Sequence, residues 1–420
     1  MKRILAVVLA LVMVLGLAAC TKTPAKTGTN DAALKVGLIC LHDENSTYDK
    51  NFIDAFKEAC EKAGLVEGES YFITTNIPEG AECKEAALDF VDQGCTLVFA
   101  DSFGHEPYLI EAAKECPDVQ FCHATGTKAH TENLANFHDA FASIYEGRYL
   151  AGVAAGLKLN EMIEAGDIKA DAAKIGYIGA YPYAEVKSGY TSFFLGARSV
   201  CESATMEVTF TNSWYDETLE KEGAQKLVAD GCVLISQHAD SYGAPTACEE
   251  AGVPNVSYNG STEAQCPDTF IVSSRINWEP YFTLCINAVK DGKDIPTDYI
   301  GTIDTGSVVL TDLGKNAPAK GTADKLAEVK AGLIDGSIKV FDTANFTVTR
   351  FNDTYNQYKK DSIKTDKDGK VTEYLADVDD AGDYIGETNV IIDGIFVESG
   401  SDMRSAPYFD LDIDGITFAK

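Results

Sequence analysis

Basic side chains are scarce in this chain: 35 lysines and arginines stand against 65 aspartates and glutamates, a formal net charge of −30. So acidic a surface repels phosphate backbones and anionic lipid headgroups, which argues against nucleic acid or a bare membrane surface as a partner. The cysteines include no Cys-x-x-Cys pair, so no redox or zinc-ribbon motif is present. Histidine is limited to six residues with no His-x-His or His-x-x-x-His spacing. Neither Gly-x-Ser-x-Gly nor a phosphate-binding glycine loop occurs. Hydrolytic, metal-dependent and nucleotide-hydrolysing chemistry therefore has no signature here. No cofactor, no metal and no catalysis are expected. Long apolar runs are missing too, since Ile4–Leu17 falls short of the ~20 residues a membrane-spanning helix needs.

That short run has a different meaning. Met1-Lys2-Arg3 precedes it, and Leu17-Ala18-Ala19-Cys20 comes after it, the three-part plan of an exported leader. The four residues ending at Cys20 resemble the lipobox of bacterial lipoproteins, in which the cysteine thiol is lipidated and becomes the first residue. Residues 1–19 are thus read as a signal peptide, Cys20 as the lipidation site, and 20–33 as a flexible tether rich in Thr, Lys, Ala and Gly. The expected location is the extracytoplasmic face of the cell membrane, with contact through the lipid anchor only. Eleven cysteines remain. Cys40, Cys122 and Cys232 lie in apolar strand runs and Cys60 and Cys83 on core-facing helix positions, so most are read as buried free thiols.

A chain of 420 residues exceeds what one core supports. KVGLICLH at 35–42 runs into a loop and then a helix whose Phe52, Ala55, Phe56, Ala59, Cys60 and Ala63 recur at helical spacing. KIGYIGAY at 174–181 starts the same plan again, with Tyr190, Phe193, Phe194 and Ala197 on one helical face. Strands read at 35–42, 70–77, 96–103, 119–126 and 135–138 alternate with helices at 49–63, 81–93 and 106–116. A second series has strands at 174–181, 206–214, 232–239, 255–260 and 269–274. Such alternation predicts an α/β fold of two lobes, each a parallel sheet flanked by helices. The expected boundaries are 34–140 with 275–300 for the N-terminal lobe and 141–274 with 301–345 for the C-terminal lobe. A long helix from Phe141 to Asn160 carries small residues at Gly147, Ala151, Gly152, Ala155 and Gly156, which would let a neighbour pack closely. Residues 346–420 are read as a β-rich extension, because Asp368-Gly369, Asp393-Gly394 and Asp414-Gly415 signal hairpins. Asp366-Lys367-Asp368-Gly369 resembles the start of a calcium loop but lacks the later ligands, so a turn is expected.

Ligands of open α/β sheets bind beyond the carboxyl ends of the strands. Those ends supply Ser46, Thr47 and Tyr48, then Phe103 and Gly104, Tyr181, Trp214, His238, Asp240 and Asn259. Flat stackers with a few fixed polar groups suit a planar polar heterocycle. Two of these residues have blander alternatives. Trp214 would serve equally as a packing residue, and Asp240 as the N-cap of a helix starting near Ser241.

NFHDAFASIYEGRYLAG, KIGYIGAY followed by SGYTSFFLGAR, TNSWYDETLEKEGAQKL and DGCVLISQHADS, together with the lipobox, resemble the basic membrane protein family of ABC-transporter solute-binding lipoproteins. The resemblance covers roughly residues 34–310 and rests on the order and spacing of the motifs. SWYD and QHADS resemble the purine-binding branch in particular. It implies a type I periplasmic-binding fold that closes on a nucleobase or nucleoside and docks on a membrane permease. The base would be sandwiched by Tyr48 or Phe52 from the first lobe and Trp214 from the second, with Asp240 reading its edge. Two other classes compete. One is a ligand-sensing receptor for another small molecule. The other is a metal-dependent enzyme built from His42, His105, His123 and His238 with Asp43 and Asp240, which no spacing supports.

Overall fold

In the computed structural model, which describes residues 34–351, 363–376, 378, 388–399 and 404–419, the predicted alternation becomes two separate parallel sheets. The elements run β1 (Val36–Ile39), α1 (Thr47–Lys62), β2 (Tyr71–Thr74), α2 (Ala81–Asp92), β3 (Leu97–Ala100), α3 (Glu106–Glu115), β4 (Gln120–Ala124), α4 (Ala129–Glu132), β5 (Phe137–Ala142) and α5 (Ile144–Ala165). The plan then repeats as β6 (Lys174–Gly179), α6 (Ala184–Val200), β7 (Thr205–Phe210), α7 (Glu217–Ala229), β8 (Leu234–His238), α8 (Gly243–Ala251), β9 (Asn255–Tyr258), β10 (Phe270–Ile276) and α9 (Glu279–Asp291). Next come β11 (Asp298–Gly301), β12 (Val308–Leu310) and α10 (Thr322–Ile334).

The first sheet has the order β11-β5-β4-β3-β1-β2 and is parallel throughout. The second runs β12-β10-β9-β8-β6-β7, with only β12 antiparallel. Both sheets therefore wind outward from their first strand in opposite directions, and the crevice at that reversal lies between the ends of β1 and β3 and of β6 and β8. The chain passes between the sheets at 142–144, 276–279 and 301–308. Among the described residues no helix is long and apolar enough to cross a membrane.

Local chemistry explains the elements that frame this crevice. Helix α1 starts because the Ser46 hydroxyl accepts the Asp49 N–H as an N-cap. Its buried face carries Phe52, Ile53, Ala55, Phe56, Ala59 and Cys60. Helix α9 lies on that face: Trp278 stacks on Phe52 at 4.4 Å, and Phe282 meets Phe56 edge-on at 5.3 Å. The small residues of α5 have the predicted use. A Cβ on Gly152 would sit 1.9 Å from the Phe193 carbonyl oxygen of α6, and one on Gly156 would sit 2.4 Å from that of Ala197. Only glycine lets these two backbones approach so closely. All eleven described cysteines are unpaired, and ten of them are buried.

The residues read as a β-rich extension form short strands. They are β13 (Val348–Phe351), β14 (Ile363–Thr365), β15 (Val371–Ala376), β16 (Thr388–Asn389), β17 (Ile391–Ile392), β18 (Ile395–Phe396), β19 (Leu411–Ile413) and β20 (Ile416–Phe418). The turns at 368–369 and 393–394 do close the hairpins β14–β15 and β17–β18. Asp366 Oδ1 accepts the Asp368 and Lys370 N–H groups, as a turn and not a calcium loop requires. The Asp414-Gly415 turn joins two different sheets instead. β19 pairs with β13, whereas β20 adds a parallel strand to the outer edge of β7. The second sheet thus ends on the last strand of the chain.

Candidate ligand-binding cleft

A cavity lies between the two sheets at this crevice, where a small molecule would be held between the lobes. Every part of its wall comes from the carboxyl end of a strand or the first turn of the helix that comes after it. The first lobe supplies Leu41, His42, Tyr48, Asp49, Ser102, Phe103 and Thr125; the second supplies Glu185, Trp214, His238, Asp240 and Tyr258. The lobes touch at its rim. The Thr47 N–H donates to the Asp240 carbonyl at 2.9 Å, and the Phe103 and Tyr183 rings lie 5.7 Å apart.

Two acids in this wall behave oppositely. The Asp49 carboxylate accepts the His42 N–H at 2.7 Å and the Ser46 hydroxyl at 2.5 Å, with His42 Nδ1 at 3.4 Å. Although burial opposes it, these donors hold the Asp49 pKa below the usual carboxylate value. Asp240 has no such support. Its backbone is fixed, since its N–H donates to Trp214 O at 3.0 Å and its carbonyl receives Thr47. Its carboxylate, however, forms no hydrogen bond or ion pair with the described residues. Burial first, then the charges of Asp49, Glu220 and Glu185, push its pKa well above the usual value.

The aromatic residues are set at defined angles. Trp214 is half-buried, edge-on to Tyr181 at 5.0 Å and tilted against Tyr183 at 6.1 Å. Tyr48 donates its hydroxyl to the Asp101 carbonyl at 2.7 Å, which fixes the ring at the first-lobe wall. His238 packs on Tyr258 at 4.4 Å with Nε2 3.5 Å from Glu185. Beneath them, the fully buried Arg148 lies over the Tyr177, Phe193 and Tyr258 rings. Its guanidinium donates to Tyr177 Oη, Ser236 Oγ and Gln237 O, so a fixed cation backs the second-lobe wall.

Five residues expected at the site line the cavity: Tyr48, Phe103, Trp214, His238 and Asp240. The others lie around it. Ser46 caps α1 and Thr47 bridges the lobes. Phe52 is in the core against Trp278, so of the two first-lobe stackers only Tyr48 reaches the cavity. The Gly104 N–H is bonded to Glu79. Tyr181 stacks on Tyr183 behind Trp214. Asn259 is buried in a left-handed conformation at the end of β9. Asp240 is no helix cap: α8 begins at Gly243, whose N–H is bonded by the Ser241 hydroxyl. Glu185 and Asp49 were missed because they lie in the first turns of helices, six and ten residues past the ends of β6 and β1. Their signal was the acidic residue in the first turn after a strand.

Among the described residues two clusters bring three possible ligands within 4.8 Å, Cys40-Asp49-Asp101 and Glu106-His123-Asp139, and neither holds more than one of the four strand-end histidines. In the second, His123 Nδ1 and Asp139 Oδ1 lie 3.4 Å apart and have no hydrogen-bond partner among the described residues, while backbone donors meet one carboxylate oxygen of Glu106 and the other of Asp139. Glu106 accepts the Thr127 and Lys128 N–H groups and Asp139 those of Lys128 and Ala129. Burial pushes their pKa values up to about 8 and about 7.

Residues 37–338 match the family model described as ABC transporter substrate-binding protein PnrA-like (Bmp). The chain is 34% identical over 262 residues to a purine-binding protein of Brucella abortus, covering 62% of this chain and 69% of that one. It is 29% identical over 245 residues to a Haloferax volcanii protein whose name provisionally assigns it to glucose binding in an ABC transporter, covering 58% and 59%. A solved ABC transporter solute-binding protein from Conexibacter woesei superposes with a TM-score of 0.60 at 18% identity, over 73% of this chain and 98% of that one.

Proposed function

This chain belongs to the PnrA-like (Bmp) family of ABC transporter substrate-binding proteins, and on that premise we propose that it captures a purine nucleobase or nucleoside between its lobes for import. One observation carries the choice of ligand. The Asp240 carboxylate faces the cavity with no donor among the described residues, on a backbone held by a hydrogen bond to the carbonyl of the aromatic Trp214. A purine presents N–H donors on its edge and a flat face for stacking, so one ligand completes both groups. Tyr48 and Phe103 supply aromatic surface from the opposite lobe. The already ionised Asp49 suits a further donor such as a ribose hydroxyl. Micromolar binding, about −8 kcal/mol, lies within reach of two stacking contacts and a few buried hydrogen bonds after association costs.

A sugar is the second reading. Three acids and several aromatic rings in one cavity also suit a ring of hydroxyls, and one relative's name mentions glucose. A thermal-shift screen over purines, pyrimidines, sugars, amino acids and riboflavin separates the two. Purines are expected to raise the melting temperature; a response to sugars or amino acids alone overturns the proposal. Anchoring through Cys20, which lies outside the described residues, belongs to the same reading and places the protein on the extracytoplasmic face beside its permease. Cys20→Ala should move the protein to the aqueous phase in detergent partition. Equal membrane retention would refute the anchor.

A further inference from the structure

The family match stops at residue 338 of 420, and the described residues of the C-terminal extension are attached to both lobes at the points where the chain crosses between them. The extension is held to the second lobe by several contacts. β20 pairs along β7. The buried Lys187 ammonium of α6 pairs with Asp410 at 2.6 Å and Asp412 at 3.0 Å. The Ser188 hydroxyl donates to Glu398 at 2.5 Å, and Arg198 reaches Asp414 at 2.7 Å. Breaking the buried Lys187 pairs is costly, because it would leave an uncompensated charge.

On the first lobe the extension's described residues reach one edge strand. The Ser405 N–H donates to Asp298 Oδ1 at 2.6 Å on β11, the edge strand of the first sheet. Asp298 is oriented by His130 Nδ1 at 2.5 Å. Between these anchors the Ser399 hydroxyl lies 3.3 Å from that of Ser143, in the first crossover. A small cavity at this junction is lined by Ser143 and Tyr145 from the crossover, Ile300 and Ser188 from the two lobes, and Glu398 and Ser405 from the extension.

We propose that the extension is a strap across the crossovers that limits how far the lobes part, with Asp298 as its positioning residue on the first lobe. Hinged lobes open by rotating about a few crossover residues. Rotation that parts the cleft must pull β11 away from a segment the second lobe holds through buried ion pairs and strand pairing. The Ser405–Asp298 bond is the contact that yields. Its presence favours the closed arrangement, in which Thr47 meets Asp240. The inference holds whichever small molecule the cleft accepts.

The test uses the full chain without ligand. Asp298→Ala removes the first-lobe anchor and should shift the open–closed ratio roughly tenfold, ~1.4 kcal/mol, toward open. Small-angle scattering should then report a larger radius of gyration than wild type. The paired change Ser143→Cys with Ser399→Cys, oxidised, should do the reverse and give the scattering of the closed form. A merely structural role predicts something different: Asp298→Ala melts lower while its scattering matches wild type. That result, or a cross-linked protein that opens as wild type does, overturns the strap. If Asp298→Ala fails to fold, the cross-linked protein decides alone.

Discussion

Replacing Asp240 with Asn separates a ligand contact from a structural acid. In the unliganded protein this carboxylate is buried, accepts no hydrogen bond from the described residues, and faces Asp49, Glu185 and Glu220. Burial and those charges raise its pKa, so folding favours its protonated form. The stability it contributes is greatest at low pH and is lost as pH rises from the usual carboxylate value toward the folded one. At neutral pH an uncharged amide of the same shape relieves that penalty, and unliganded Asp240→Asn should melt higher than wild type. With ligand the sign reverses. A hydrogen bond to a charged group is worth about 1.5–3 kcal/mol, so losing it should weaken purine binding roughly 10- to 150-fold. The amide also donates, so a base with an acceptor at that edge should lose least. Differential scanning calorimetry without ligand and titration calorimetry with it measure the two effects. A lower unliganded melting temperature with unchanged affinity would refute the reasoning and make Asp240 a structural residue.

Trp214→Ala should weaken binding about 5- to 150-fold, since stacking a base on an aromatic ring is worth ~1–3 kcal/mol; unchanged affinity by titration calorimetry would place the stacking elsewhere. Gly152→Ala should lower the melting temperature with and without ligand, because its Cβ has no room against the Phe193 carbonyl and overpacking costs about 1–3 kcal/mol. Stability should also fall between about pH 6.5 and 8. Burial raises Glu106 and Glu398 to about 8 and Asp139 and Glu220 to about 7, so the folded chain holds protons there that the unfolded chain has released. The buried His105 and His138, lowered to about 4, push stability the other way only below pH 6.5. Melting temperatures across that range test this, and Glu106→Gln should flatten the slope.

The two lobes were legible because each strand is a short apolar run and each helix shows one apolar stripe, as in α1 with Phe52, Phe56 and Cys60. Of the candidate site residues read from the strand ends, Tyr48, Phe103, Trp214, His238 and Asp240 line one cavity. Position along a helix was harder to read. Tyr48 and Phe52 sit one turn apart on α1, yet Tyr48 faces the cavity while Phe52 is covered by Trp278, a residue 226 positions away that no local pattern announces. The tail was hardest. Strand β20 has three residues, and its partner β7 ends more than 200 residues earlier. Its Asp414-Gly415 turn looks like any hairpin, because the residues of a turn report its local shape and not which sheets it joins.

Titration calorimetry of the wild-type chain, stripped of bound ligand by unfolding and refolding, tests the central claim most directly. Saturable one-site binding near micromolar for a purine base or nucleoside, with no heat from glucose, is the predicted result. Binding of glucose with no response to any purine would contradict it.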